Sequence, residues 1–316
     1  MKKILIFITL LCILIAEPNN IFGQNQHKLS KEELFDIYCK KLKELKLPTV
    51  NMEGIKISEF NVVYDYDDSF QKYIPRVGSE KTKFSMSIDP DTKKVIKCHN
   101  GSARDYETLF EGGAKPTKNK EDIIKQAKSY LKIIYGEIPK DASLDEEGSE
   151  YIVTFWQDSK YSYEGDWVVY WQRKEGNYFY MNDCIGMTIN ERCGLVGYGY
   201  NFFSQYHPPK QINITKEKAI EIAQKHINDI INNPYWGGGY EKYKIGDIHS
   251  AELMIVNPNY ITKRRKDFDP RPSPYARLAW VVSFNWLDRK TSKKITKLPP
   301  QVWIDAETGE LLGGMN

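Results

Sequence analysis

At 316 residues with a net charge of +3, the chain is long enough for about two domains, and its charge is too balanced to single out nucleic acid as a partner. Hydrophobic residues at 41% and charged residues at 28% are ordinary for a folded soluble protein, while aromatics are abundant at 13%. No H-E-x-x-H, G-x-S-x-G or P-loop motif is present, so zinc-peptidase, serine-hydrolase and nucleotide chemistry have no signature here.

Lys2 and Lys3 precede an apolar run from Ile4 to Ala16 that "EPNN" closes. A basic start and a short greasy stretch predict a secretory signal over residues 1–23, too short for a comfortable membrane span. Gly23 before Gln24 is a small residue for cleavage, with an uncleaved anchor as the alternative. Cys12 follows a Leu inside the run, which does not fit a lipoprotein signal. The remainder, without another long apolar stretch, is expected to be secreted or otherwise extracytoplasmic, where disulfides are permitted.

Three amphipathic helices are predicted, each behind a residue suited to capping: Ser30, Asn119 and Thr215. Ser30 with Glu33 forms a capping box. Helical spacing then assigns one buried face to each. These faces are Leu34, Tyr38, Leu42 and Leu45; Ile123, Ala127, Tyr130, Leu131 and Ile134; and Ile220, Ala223, Ile227 and Ile230.

After each helix comes a hairpin written in similar words: "MSIDPDTKKVIKC", "MTINERCGLVGYG" and "VWIDAETGELLGG". Ile88, Ile189 and Ile304 coincide, and so do Asp89, Asn190 and Asp305, whose side chains suit a turn entry. Val95, Val196 and Leu311 follow on the return strand. Further strands lie between helix and hairpin: "FNVVYDYD" in the first copy, "YIVTFWQD" and "GDWVVYWQRK" in the second, "AELMIVNP" and "RLAWVVSFNW" in the third. The first copy is the shortest, which suggests a missing or degenerate strand.

This order of capped helix, "AWVVSF"-type strand and final "VWIDAETGELLGG" resembles PepSY domains, and the tandem layout resembles the YcdB/YcdC-type repeat proteins of that group. The resemblance implies an α+β fold of three tandem units, each one helix packed on a three- to four-stranded antiparallel sheet. With boundaries in "EGGAKPTKN" and "QYHPPKQIN", the units run over 24–113, 114–205 and 206–316, the first degenerate. The resemblance also implies a non-enzymatic role outside the cytoplasm: binding and modulating, most simply inhibiting, a secreted peptidase or a cell-envelope protein. An exported ligand- or glycan-binding module using aromatic strand faces is the alternative.

No catalytic residues, metal ligands or cofactors are predicted. His27, His99, His207, His226 and His249 are scattered without metal spacing, and His226 reads as a packing residue. The acidic clusters Asp65, Asp67, Asp68 and Asp89, Asp91 lack the glycine and distant glutamate of an EF-hand loop and read as turns. Gly237 to Gly239 read as a connector. Two features are candidates for partner binding. One is the basic insertion Lys263, Arg264, Arg265 and Lys266, suited to an acidic partner or an anionic membrane surface, or simply a solvated loop. The other is the aromatic run around Trp156 and Trp167 to Trp171, where Trp167 and Trp171 share one face and Tyr170 lies on the other; core packing is the competing reading. Among the cysteines, the hairpin register puts Cys193 in a turn and Cys184 about 15 Å away, beyond disulfide reach. A Cys39–Cys98 bridge between the first helix and the sheet below it remains a candidate, as do free buried thiols.

Overall fold

The computed structural model describes residues 28–315 except 68, 71, 103–109, 154, 157–160, 232–241, 260–274 and 296–297. The predicted signal and the basic insertion Lys263–Lys266 lie outside the described residues.

Helix α1 (Lys31–Leu45) begins with the capping box: Glu33 N donates to Ser30 Oγ at 3.1 Å and Ser30 N donates to Glu33 Oε2 at 3.0 Å. Asn119 caps α2 (Lys120–Tyr135), and Thr215 accepts from Lys218 N at the start of α3 (Lys216–Ile231). The predicted faces of α1 and α2 are buried throughout. On α3 Ala223 and Ile227 are buried as expected, but Ala219 takes the buried place expected of Ile220, which is only partly covered, and the side chain of Ile230 lies outside the described set.

The strands follow the helices. After α1 come β1 (Phe60–Asp67), β2 (Lys72–Ser79), β3 (Phe84–Ile88) and β4 (Val95–Asn100), an antiparallel meander with no strand missing. A short β5 (Phe110–Glu111) precedes α2. Then come β6 (Ala142–Ile152), β7 (Phe155–Trp156), β8 (Tyr161–Ser162), β9 (Asp166–Glu175), β10 (Tyr178–Asn190) and β11 (Gly194–Tyr200). β12 (Gln205–Tyr206) precedes α3, which β13 (Tyr243–Val256), β14 (Tyr275–Asp288), β15 (Gln301–Asp305) and β16 (Leu311–Met315) follow. The second copy's outer strand is therefore the polar β6, which starts nine residues before "YIVTFWQD".

β5, β7 and β8 make a small sheet, and the other strands form one 13-stranded sheet. The expected architecture of three helix-on-sheet units is thereby overturned: the protein is mostly β, with its described α-helices laid on one large mixed sheet. Edges left by one hairpin are closed by the next stretch of chain. β4 pairs antiparallel with β11 through Lys97–His99 and Gly197–Gly199. β10 meets β13 in parallel at Tyr180 and Ile255, and β12 runs parallel to β14. The cores merge as well. α1 and α2 share a core with strands β1 to β4 and β9 to β11, and Lys41 of α1 donates to the Ile133 carbonyl of α2. Among the described helices only α3 has a core of its own, with β13, β14 and β15.

The turns share one chemistry. Asp89 accepts from Asp91 N and Thr92 Oγ1, Asn190 from Arg192 N and Cys193 N, and Asp305 from Glu307 N, Thr308 N and Thr308 Oγ1. Asp288 repeats the pattern with Lys290 N, Thr291 N and Thr291 Oγ1. The residue four places on is left-handed each time: Lys93 (φ 58°), Gly194 (77°), Ser292 (56°) and Gly309 (76°). The second hairpin is one residue tighter, so Ile189 faces Leu195 and not Val196. Because a side chain in this conformation costs about 1–2 kcal/mol, Gly309→Ala is expected to lower stability by about that amount. Ser292→Gly should shift the urea midpoint the other way, with the slope of the transition unchanged.

The cysteine readings resolve towards thiols. Cys39, Cys98, Cys184 and Cys193 all stand as thiols, so the candidate Cys39–Cys98 bridge is not formed. Cys39 lies one position off the buried Leu34–Tyr38–Leu42 stripe, whereas Cys98 points inward from β4 between Met86 and Tyr198. Burial pushes the Cys98 thiol well above its ordinary pKa, which keeps it protonated and unreactive.

Candidate functional site

A sheet this wide must manage its edges, because an edge strand offers unpaired N–H and C=O groups to any passing strand. Among the described residues, four strands longer than two residues pair on one side along most or all of their length: β1, β6, β13 and β16. β6 carries Asp145, Glu146, Glu147 and Glu150, charges that discourage pairing. β16 is covered by Asn259, whose backbone N–H donates to Leu312 O while its amide both donates to and accepts from Gly314. β1 carries only the charges Asp65 and Asp67, both paired within the chain, and β13 carries Lys244, Asp247 and Glu252 spaced apart; among the described residues neither edge is capped as Asn259 caps β16.

β13 is anchored at its C-terminal end by a buried polar cluster. Arg173 Nη1 donates to Asp183 Oδ2 at 2.8 Å and to Ser204 O at 2.9 Å, and its Nε donates to Asp141 Oδ2 at 2.8 Å. The guanidinium also lies 4.4 Å from the Tyr180 ring centroid. Ser204 Oγ sits 2.5 Å from Asp183 Oδ1 and 2.9 Å from Asn257 Oδ1, which ties in the residue just after β13. Burial raises the pKa of Asp183, and hydrogen bonds from Ser204 and Arg173 offset that only in part. Beyond the single bridge at Ile255, Lys244 to Met254 have no ladder partner on that side among the described residues.

Along this open stretch the strand is irregular. Its register against β14 shifts between Ile245 and Ile248 and again before Ser250. Gly246 permits the first shift, since a Cβ there would lie 2.8 Å from Leu287 Cγ. Asp247 is then held by Asn285 Nδ2 at 2.8 Å and Lys244 Nζ reaches Ser292 Oγ at 2.8 Å. Bulges of this kind re-aim side chains and often border binding sites. Here the irregular strand and α3 enclose an open cavity of about 620 Å³. Its floor is apolar, made by Ile227, Ile245, Ile248 and Phe284, and its rim is polar, with Lys244 and Asp247 of β13 facing Gln224 and Asn228 from the exposed side of α3. An apolar hollow with a few polar groups at its mouth suits a side chain of a bound molecule.

The residues singled out by sequence lie elsewhere. Trp167 and Trp171 are buried in the shared core with Val169, so that aromatic face is closed to a ligand. The Trp167 indole donates to Glu191 at 2.8 Å, and Trp280, equivalent by sequence, donates to Ile214 O at 2.8 Å. Tyr170 is half-buried on the opposite face. Asp89, Asn190 and Asp305 are turn residues as described above. Among the described residues, no group of three or more His, Cys, Asp or Glu is placed to hold a metal, and no helix is long and apolar enough to cross a membrane. Sequence reasoning missed the cavity because "YKIGDIHS" shows no clean alternation; its bulges break the period that marks a strand.

No protein-family profile and no curated protein matches the chain. Among solved structures it is similar to an uncharacterized protein from Eubacterium rectale ATCC 33656, at 13% identity over 92% of this chain and 82% of that one, with a TM-score of 0.41.

Proposed function

We propose that the protein is an exported, non-enzymatic binding protein that captures an extended segment of another polypeptide along β13, with a secreted peptidase or a cell-envelope protein as the partner. One observation carries this reading: the same stretch, Lys244 to Ile248, borders an apolar cavity and lacks a strand partner on one side among the described residues. A strand added there would satisfy the backbone through ladder hydrogen bonds and send alternate side chains towards the cavity, which gives both affinity and selectivity. The resemblance to PepSY repeats supports a peptidase as the owner of that segment.

The test uses the tagged protein to capture partners from culture supernatant, followed by cleavage of a generic substrate by whatever peptidase is retained. Capture and slowed cleavage are expected. Gln224→Trp, which fills the cavity mouth from an exposed helix position, is expected to weaken binding at least about tenfold without changing thermal stability. Retention that is indifferent to Gln224→Trp would sink the proposal, and a supernatant whose peptidases all run at full rate would rule out a peptidase as the partner.

A further inference from the structure

We infer that β1 is the contact strand of a homodimer, in which two copies join their sheets antiparallel, edge to edge, about a twofold axis at Val63. β1 is the terminal strand at the end of the sheet path opposite β16. At the β16 end Asn259 closes the edge; at the β1 end no described residue does. The strand also carries an unusual share of exposed apolar surface for its length. Val63 is 47% exposed, Tyr64 38% and Tyr66 49%, with Tyr73 of β2 at 50% packed beside Tyr66, ring centroids 5.3 Å apart. A lone exposed residue needs no explanation, but Tyr64, Tyr66 and Tyr73 form a contiguous patch on one face of this open edge, with Val63 exposed on the other face, and such an edge marks an interaction surface.

The charges that ordinarily guard such an edge are used up within the chain. Asp65 pairs with Arg76 at 3.0 Å and Asp67 with Lys97 at 2.7 Å. The sequence of the strand is then self-complementary in one register. With Val63 opposite its own copy, Val62 faces Tyr64, Phe60 faces Tyr66 and Asn61 faces Asp65, so from Phe60 to Tyr66 apolar meets apolar and no like charges are opposed, while Asp67 falls opposite Glu59 just outside the strand. Sliding the pair by two residues to centre on Asp65 would set carboxylate against carboxylate. Even-numbered residues share the face on which α1 packs, through the contacts of Phe35 and Tyr38 with Phe60. The dimer would therefore extend the helix-covered face across both copies. This surface is separate from the β13 cavity and its fate does not depend on that reading.

The experiment is sedimentation equilibrium of the purified protein and two edge variants. The unmodified protein is expected to dimerise. Val63→Lys, at a half-exposed position, is expected to keep the unfolding midpoint and weaken dimerisation at least about tenfold, because two ammonium groups then face each other. Under oxidation Val63→Cys should give a disulfide-linked dimer, since directly opposed residues stand about 4.5–5.5 Å apart between Cα atoms. Asn61→Cys, opposite Asp65 of the second copy, should not. A protein that stays monomeric up to about 100 μM, a range that captures even weak association, overturns the inference and leaves β1 open to a strand from another protein. A dimer untouched by Val63→Lys, or crosslinked through Asn61→Cys and not Val63→Cys, overturns it as well.

Discussion

Replacing Arg173 by Met is expected to destabilise the protein by about 3–5 kcal/mol, because it strands a buried carboxylate. Asp183 has a fully buried side chain, and Arg173 is the cation that faces it, at 2.8 Å. The same guanidinium holds Ser204 O, Asp141 and the face of Tyr180, so its removal also loosens the junction that fixes the end of β13. The loss should depend on pH. Burial already raises the pKa of Asp183 above the ordinary carboxylate value, so the folded protein binds that proton more tightly than the unfolded chain does. The stability associated with this proton is therefore present in full below the unfolded pKa of about 4 and fades as pH rises through the elevated folded value. Without Arg173 that value climbs further, and the variant's deficit should be larger at pH 7.5 than at pH 4.5. Thermal unfolding of both proteins across that interval measures it. Adding Asp183→Asn to the Arg173→Met protein should restore part of the loss. A deficit equal at both pH values would mean that Arg173 matters through packing alone.

Much of this fold was legible in the sequence at the level of single elements. Ser30, Asn119 and Thr215 begin helices because their side chains satisfy the first backbone N–H groups, a local requirement. Asp89, Asn190 and Asp305 begin turns for an equally local reason. What the chain did not disclose was which elements would share a sheet or a core. Alternation along β4 or β11 says which side of each strand is apolar, but not that Lys97–His99 would lie beside Gly197–Gly199. The stripes of α1 and α2 likewise give each helix a buried face without saying that the two faces meet over one core. Edge pairing is decided by backbone groups that every residue carries, so it leaves little trace in composition. The cavity beside β13 was hidden for a related reason: Gly246 and the shifts around Ile248 destroy the pattern by which a strand is read. The aromatic run of β9 misled in the opposite sense, since Trp167 and Trp171 would look the same on a binding platform as in a core.

Asp305→Ala is the second large effect, expected at about 3–4 kcal/mol from lost charge-assisted hydrogen bonds and an ion pair broken on its buried side. Asp305 is 2% exposed, receives Glu307 N, Thr308 N and Thr308 Oγ1 on one oxygen, and meets Arg277 Nη2 at 2.8 Å with the other. The turn it opens also carries the start of α3, because Asn213 N and Ile214 N both donate to Ala306 O. Asp288 makes the same turn from a partly exposed position and without a buried ion pair, so Asp288→Ala should give a clearly smaller shift in the urea midpoint. Asp305→Asn separates the two roles of the carboxylate. Asn190 occupies the matching place in the second hairpin and opens its turn through Oδ1, so an amide can serve the turn while giving up the charge that Arg277 needs. The expected order of loss is therefore Asp305→Ala, then Asp305→Asn, then Asp288→Ala. If Asp305→Asn proves as damaging as Asp305→Ala, the Arg277 ion pair and not the turn holds the hairpin. The shared turn chemistry would then be a matter of local shape, with the hairpin's stability set by its contact with β14.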